Sequence, residues 1–249
     1  MKTKKDKGIK RIGLISFSMI SYKIKTLGEP VVGITTIFYY LKTNEFQKRS
    51  IIDQGLHKHN FYNFTSVFPV EKTIGDEIIR FEFWDKRLLG MIPSGEFQTR
   101  KTSSAKFFFQ GVNLLFLVFD LTRKLTLINL KNHLEEADEN IDLNSIPIFL
   151  LGNKLDLLRL GKDNPDYRNS FDYEIAILHK DQEDGKITSV SGTQFNPVSG
   201  MDVEIFFEQL QDRYPGSHVY YLDVSAKTGE NIPILQDKMI SILQEKITQ

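Results

Sequence analysis

Ile148-Phe-Leu-Leu-Gly152-Asn153-Lys154-Leu-Asp156 and Val219-Tyr-Tyr-Leu-Asp-Val-Ser225-Ala226-Lys227-Thr-Gly229-Glu-Asn231 share one design. Each is an apolar run that stops at a polar loop, the pattern of a buried parallel strand delivering functional groups at its C-terminal end. Asn153 and Asp156 offer an amide and a carboxylate with two residues between them. A carboxylate beside a purine accepts an amino N–H and a ring N–H together, which suits guanine and suits adenine poorly.

Asn-Lys-x-Asp followed by Ser-Ala-Lys resembles the base-recognition pair of the Ras-like small GTPases, most of all their Rab-like branch. The resemblance implies an α/β fold of the P-loop NTPase kind, a mostly parallel central sheet with helices on both faces. It implies that Asn153 and Asp156 hold the guanine ring, that Lys154 and Lys227 flank it, and that the Ser225-Ala226 backbone meets the base oxygen. GTP or GDP with Mg²⁺ would then be the bound species, and regulatory or effector proteins the partners.

Gly28-Glu-Pro-Val-Val-Gly33-Ile34-Thr35-Thr36 has the spacing of a phosphate loop and runs into the helical-looking Ile37-Phe-Tyr-Tyr-Leu41. Two glycines let backbone N–H groups curl toward phosphates and meet a helix N-terminus. Thr35 would place its hydroxyl on Mg²⁺. The family's lysine is missing, because Ile34 stands in its place. Losing one charge-assisted hydrogen bond costs roughly 1.5–3 kcal/mol, and such a charge acts most strongly on the transition state of phosphoryl transfer. Lys23 and Lys25 lie on the preceding strand and are expected to point to neighbours or to solvent instead.

The segment 44–72 is expected to be a long first switch loop, rich in aromatics and ending at Thr73-Ile-Gly75, which looks like the Rab-like switch threonine that closes over γ-phosphate and Mg²⁺. Glu77-Ile-Ile-Arg-Phe-Glu-Phe-Trp-Asp85 follows with the period of a strand, and Asp85 matches the family carboxylate that holds a magnesium-bound water. Thr35, Thr73 and Asp85 are therefore the expected metal contacts. After Asp85 the family pattern fails: Leu88 occupies the place of the glycine and Leu89 cannot orient water. No catalytic residue is assigned. Two readings of function remain: a guanine-nucleotide-binding, Rab/Ras-like regulator with weak or absent hydrolysis, and a non-enzymatic scaffold that kept the fold and binds proteins without switching.

The rest of the chain frames this domain. Residues 1–21 are expected to form a basic arm with a candidate added strand, and 22–249 a single domain decorated by an insertion around 158–200. Within that insertion Phe171–Leu178 and Lys186–Val190 read as a hairpin, though the first arm also suits a short helix. The arm carries Lys2, Lys4, Lys5, Lys7, Lys10 and Arg11, as a solvated tail or a weak anchor for an anionic surface. Overall charge balances, with Lys+Arg 32 and Asp+Glu 32, so nucleic acid is not an expected partner. Cysteine is absent, which excludes disulfides and thiolate metal sites and permits a reducing compartment. The sequence begins Met1-Lys2 and ends Glu245-Lys-Ile-Thr-Gln249, so no direct lipid anchor of the prenyl or acyl kind is expected. A cytoplasmic protein follows, drawn to any membrane through a partner or the arm.

Overall fold

The computed structural model describes residues 18–29, 31–46, 66–74, 77–85, 106, 108–166 and 195–245. Period-two burial organises its edge. In β3 (Glu77–Asp85) the side chains of Ile79, Phe81 and Phe83 are buried. β2 (Ser66–Ile74) pairs with it antiparallel, from Ser66 opposite Asp85 to Ile74 opposite Glu77. The remaining strands, β1 (Ser18–Leu27), β4 (Val112–Asp120), β5 (Ile148–Asn153) and β6 (Val219–Asp223), complete a six-stranded sheet in the order β2-β3-β1-β4-β5-β6. Every pairing other than β2 with β3 is parallel. β4 and β5 are buried almost throughout, as strands covered on both faces must be.

Helices supply those covers. On one face, Ile24, Phe83, Phe116 and Phe149 pack against α1 (Ile34–Thr43) and the C-terminal helix α6 (Ile232–Glu245). On the other, Leu115, Leu117 and Leu150 meet α2 (Lys124–Ile128), α3 (Leu130–Asp138), α4 (Leu155–Asp163) and α5 (Gly200–Arg213). Each buried Leu, Ile or Phe contributes roughly 1.5–3 kcal/mol, so the two layers dominate stability. α5 starts at a reciprocal cap: Asp202 N donates to Ser199 Oγ at 3.1 Å, and Ser199 N donates to Asp202 Oδ2 at 3.1 Å.

Two expectations shift, and the helical segment after β4 is divided. β1 begins at Ser18, so Ser18–Ser21 belong to a central strand and not to an added one; Ile20, Tyr22 and Ile24 continue a single period-two face. The helix after β4 breaks at Asn129 into α2 and α3. Leu158–Asp163, expected as part of the insertion, instead forms most of α4. Phe195 then closes on Gly161 so tightly that a Cβ there would lie 2.2 Å from the ring. Residues 167–194 of the expected insertion, its hairpin among them, lie outside the described residues, as does the arm before Ser18. No helix among the described residues is long and apolar enough to cross a membrane.

Candidate functional site

Parallel strands in register end together. Thr26 pairs with Asp85, Asp120 with Asn153 and Gly152 with Asp223, so the C-terminal ends of β1, β3, β4, β5 and β6 share one rim of the sheet. Gly28, Gly33, Asn153, Lys154, Asp156, Ser225, Ala226 and Lys227 are all delivered there.

Asn153 ties the rim together. Its Nδ2 donates to Val32 O at 2.8 Å in the loop after β1, and its Oδ1 accepts from Ala226 N at 3.1 Å in the loop after β6. The amide is buried, so both bonds act without competing water. Next to it Ser225, also buried, donates from Oγ to Asp156 Oδ1 at 2.7 Å, while Thr228 N donates to that Oγ at 3.1 Å. Lys227 Nζ stands 3.9 Å from Asp156 Oδ2. The Asp156 side chain keeps 15% exposure, so one carboxylate is braced from behind and still presents acceptors outward. That is the geometry a two-donor purine edge requires.

Lys154 adopts a left-handed backbone, φ 67. It donates to Asp120 Oδ2 at 2.7 Å. Asp120 is fully buried at the end of β4 and also accepts from Arg123 Nε at 2.9 Å, from Thr122 N at 2.9 Å and from Thr122 Oγ1 at 2.6 Å. Burial pushes this carboxyl up, but the charges of Lys154 and Arg123 and the donated bonds outweigh it and hold the group below the ordinary carboxylate value.

The phosphate side keeps its backbone more than its chemistry. Gly28 lies where a Cβ would sit 2.3 Å from Val118 O, and Gly33, at φ +94, where a Cβ would sit 2.3 Å from Asn153 Nδ2. Both positions therefore demand glycine. Val31 is held at φ 67, a strained conformation for a β-branched residue that the surrounding loop must enforce. α1 starts directly after Gly33 with no acidic residue in its first turn, so its leading amides favour an anion. Thr35 and Thr36 occupy that turn, half-buried. Ile34 is 1% exposed and its side chain belongs to the core beneath α1, leaving only its backbone to face a ligand. Glu29, inside the loop, is drawn aside by His133 of α3, with Nε2 3.3 Å from Oε1. The His133 imidazole beside it lowers the Glu29 carboxyl, against its burial, with Asn129 and Arg123 assisting.

Neither neighbouring lysine fills the place of the missing one. Lys23 Nζ donates to Gln110 O at 2.9 Å and sits 4.0 Å over the Trp84 ring. Lys25, fully buried, reaches Trp84 O at 3.4 Å between the Phe108 and Phe109 rings. Both lie on the sheet face away from α1.

Thr73 is displaced from the expected metal set. It pairs with Ile78 near the β2–β3 turn, whereas Asp85 pairs with Ser66 and Thr26 at the other end. From Ile78 to Asp85 the strand advances about 23 Å at ~3.3 Å per residue, so Thr73 and Asp85 cannot share an ion. Residues 47–65, which precede Ser66, lie outside the described residues. Asp85 ends β3 beside the strand that runs into Gly28; Leu88 and Leu89 lie outside the described residues.

Comparison with known proteins decides the family. The model of the Ras family matches residues 23–245. The chain belongs to the Ras family. Its relatives include the GTP-binding protein YPT52 of Saccharomyces cerevisiae, 26% identical over 206 residues that cover 78% of this chain and 80% of that protein. The Ras-related protein RABA1f of Arabidopsis thaliana is 25% identical over 191 residues, covering 74% and 79%. The Ras-related protein Rab-27B of Bos taurus is 23% identical over 230 residues, covering 91% and 81%. Family members bind GTP or GDP with Mg²⁺ and meet regulators and effectors. In this Ras-family chain the residue that sequence reading passed over is Asp120. Its signal was available, since it closes an apolar strand as Asn153 does, but no base contact drew notice to it.

Proposed function

We propose that this chain is a guanine-nucleotide-binding regulatory protein whose intrinsic GTP hydrolysis is absent or very slow. The observation that carries the reading is the Asn153–Ser225–Asp156 assembly, in which one buried amide joins the phosphate loop to the base loops and a braced carboxylate faces outward. Gly28 and Gly33 leave the space, and α1 the leading amides, that phosphates use. Mg²⁺ suits Thr35 and the end of β3 at Asp85. Among the described residues no three His, Asp or Glu side chains converge as a metal site, so the ion would take most of its oxygens from phosphates and water.

Slow turnover follows from Ile34. Its side chain is spent on the core, and the backbone amides that remain bind ground-state phosphates without the mobile cation that neutralises charge growing in transfer. The same burial favours a second reading, a scaffold that keeps the fold and binds proteins without a nucleotide cycle. Chromatography of small molecules released from freshly purified, denatured protein separates the two. Stoichiometric GDP or GTP supports the regulator; an empty site that also fails to take up added guanine nucleotide rejects it in favour of the scaffold.

A further inference from the structure

We propose that Asp120 is a positioning residue for the nucleotide: it anchors the Lys154 ammonium so that the lysine's methylene stem, stretched from the end of β5 to the end of β4, forms a fixed wall for the base. The inference rests on the guanine-nucleotide reading and adds a residue to it.

Both ends of the Lys154 side chain are fixed. At one end the backbone is held left-handed at φ 67, directly before α4; at the other Nζ lies 2.7 Å from Asp120 Oδ2. A free lysine samples many rotamers and loses them on binding. An anchored one has lost them already, which is how preorganisation slows release. Asp120 suits the task because its own position is over-determined. It has no solvent exposure, Thr122 supplies two donors to Oδ1, and Arg123 shares Oδ2 with Lys154. Arg123 also keeps the carboxylate compensated if Lys154 is lost, so the anchor does not collapse with its load. The register of Asp120 opposite Asn153 places this anchor one strand from the amide that ties the phosphate loop to the base loops.

The test measures release of N-methylanthraniloyl-GDP by the native chain, Asp120→Asn, Lys154→Met and the double variant. Each single change should speed release roughly tenfold, the double no more than either single, and Asp120→Glu should recover part of the loss. A purely structural Asp120 would lower the unfolding midpoint and yet leave release unchanged or multiply the Lys154→Met effect; either result overturns the proposal. Acylation of the nucleotide-free native protein, read by peptide mass, gives an answer even if Asp120→Asn does not fold. Lys154 should react well behind Lys227, and equal rates would overturn the anchor. A native chain that takes up no labelled GDP would reject the guanine reading itself and the positioning role with it, whereas normal uptake with unchanged release rejects the positioning role alone.

Discussion

The base end and the phosphate end of this site are built to different standards. At the base end every polar group that matters has a partner: Asn153 bridges two loops, Ser225 braces Asp156, and Asp120 holds Lys154. At the phosphate end the backbone is preserved at Gly28, Gly33 and Val31, while the side chain at 34 has been given to the core. Side-chain chemistry can be lost at a site whose backbone shape persists, because the shape is enforced by neighbours such as Asn153 and Val118 that other parts of the fold also need. On the proposed reading, nucleotide choice and nucleotide turnover are therefore separable properties.

Asp156→Asn should break the base end outright. Two hydrogen bonds to a charged acceptor, each worth roughly 1.5–3 kcal/mol, disappear or reverse polarity, so guanine nucleotide should bind at least about a hundredfold more weakly. Xanthine nucleotide, which presents the complementary edge, should gain relative to guanine. Competition titrations read both, and equal affinity of the native chain for adenine and guanine nucleotides would remove the base assignment.

Ile34→Lys probes the other end and carries opposite signs. Exchanging a buried Ile for Lys should lower the stability of the nucleotide-free protein by about 2 kcal/mol, read by urea unfolding. In the folded variant, triphosphate should bind roughly ten- to a hundredfold more tightly through one new charge-assisted bond. Single-turnover phosphate release should stay slow. Rapid release by the native chain without a partner would contradict an impaired site, and a folded variant with no gain in affinity would displace Ile34 from the phosphates.

The placement of the proposed base end was legible because its residues lie at the ends of apolar strands and carry side chains of unmistakable polarity. Asn153, Asp156 and Ser225 fall where their spacing placed them. Thr73 was misplaced for a geometric reason. A Thr-Ile-Gly tripeptide suits a switch and a hairpin turn equally, and only the antiparallel pairing of β2 with β3 shows that the start of β2, at Ser66, is the end that meets Asp85. Lys25 was expected among neighbours or solvent, and its complete burial depends on the Phe108 and Phe109 rings closing over it, a tertiary event that strand period does not encode. Asp120 acquires its meaning only when β4 and β5 stand in register.

Gly33→Ala asks how firmly Asn153 enforces the loop. Gly111 is a matched control, since it also has positive φ, +71, but nothing lies within 4 Å of its would-be Cβ, whereas at Gly33 the Asn153 amide is 2.3 Å away. Alanine at 111 should cost about 1 kcal/mol of backbone strain, and at 33 about 2–3 kcal/mol in unfolding experiments. Equal losses at the two sites would mean that the phosphate loop yields and that Asn153 does not set its shape.

The smallest effect concerns pH and contrasts the two acids that border the site. Glu29 is drawn toward α3 by His133, and its carboxyl is lowered chiefly by that contact, against burial, with Asn129 and Arg123 contributing. A carboxyl whose folded value lies below its unfolded one, about 4.3 for Glu, adds stability that is present above the unfolded value and is lost as pH falls through the folded one. The Glu29 side chain is 31% exposed, so solvent screening limits the contribution to about 0.2–1 kcal/mol. Native protein should therefore exceed Glu29→Gln in stability near pH 6, with the difference fading as pH drops below about 4. Asp120 has the same sign, but it is buried and takes four donated bonds, so the native chain should keep losing stability in acid after the Glu29 difference has vanished. Urea unfolding of both proteins across this range reads the effect. A Glu29→Gln difference that grows as pH falls would show that His133 does not favour the ionised carboxylate, and the loop would then owe its position to backbone contacts alone.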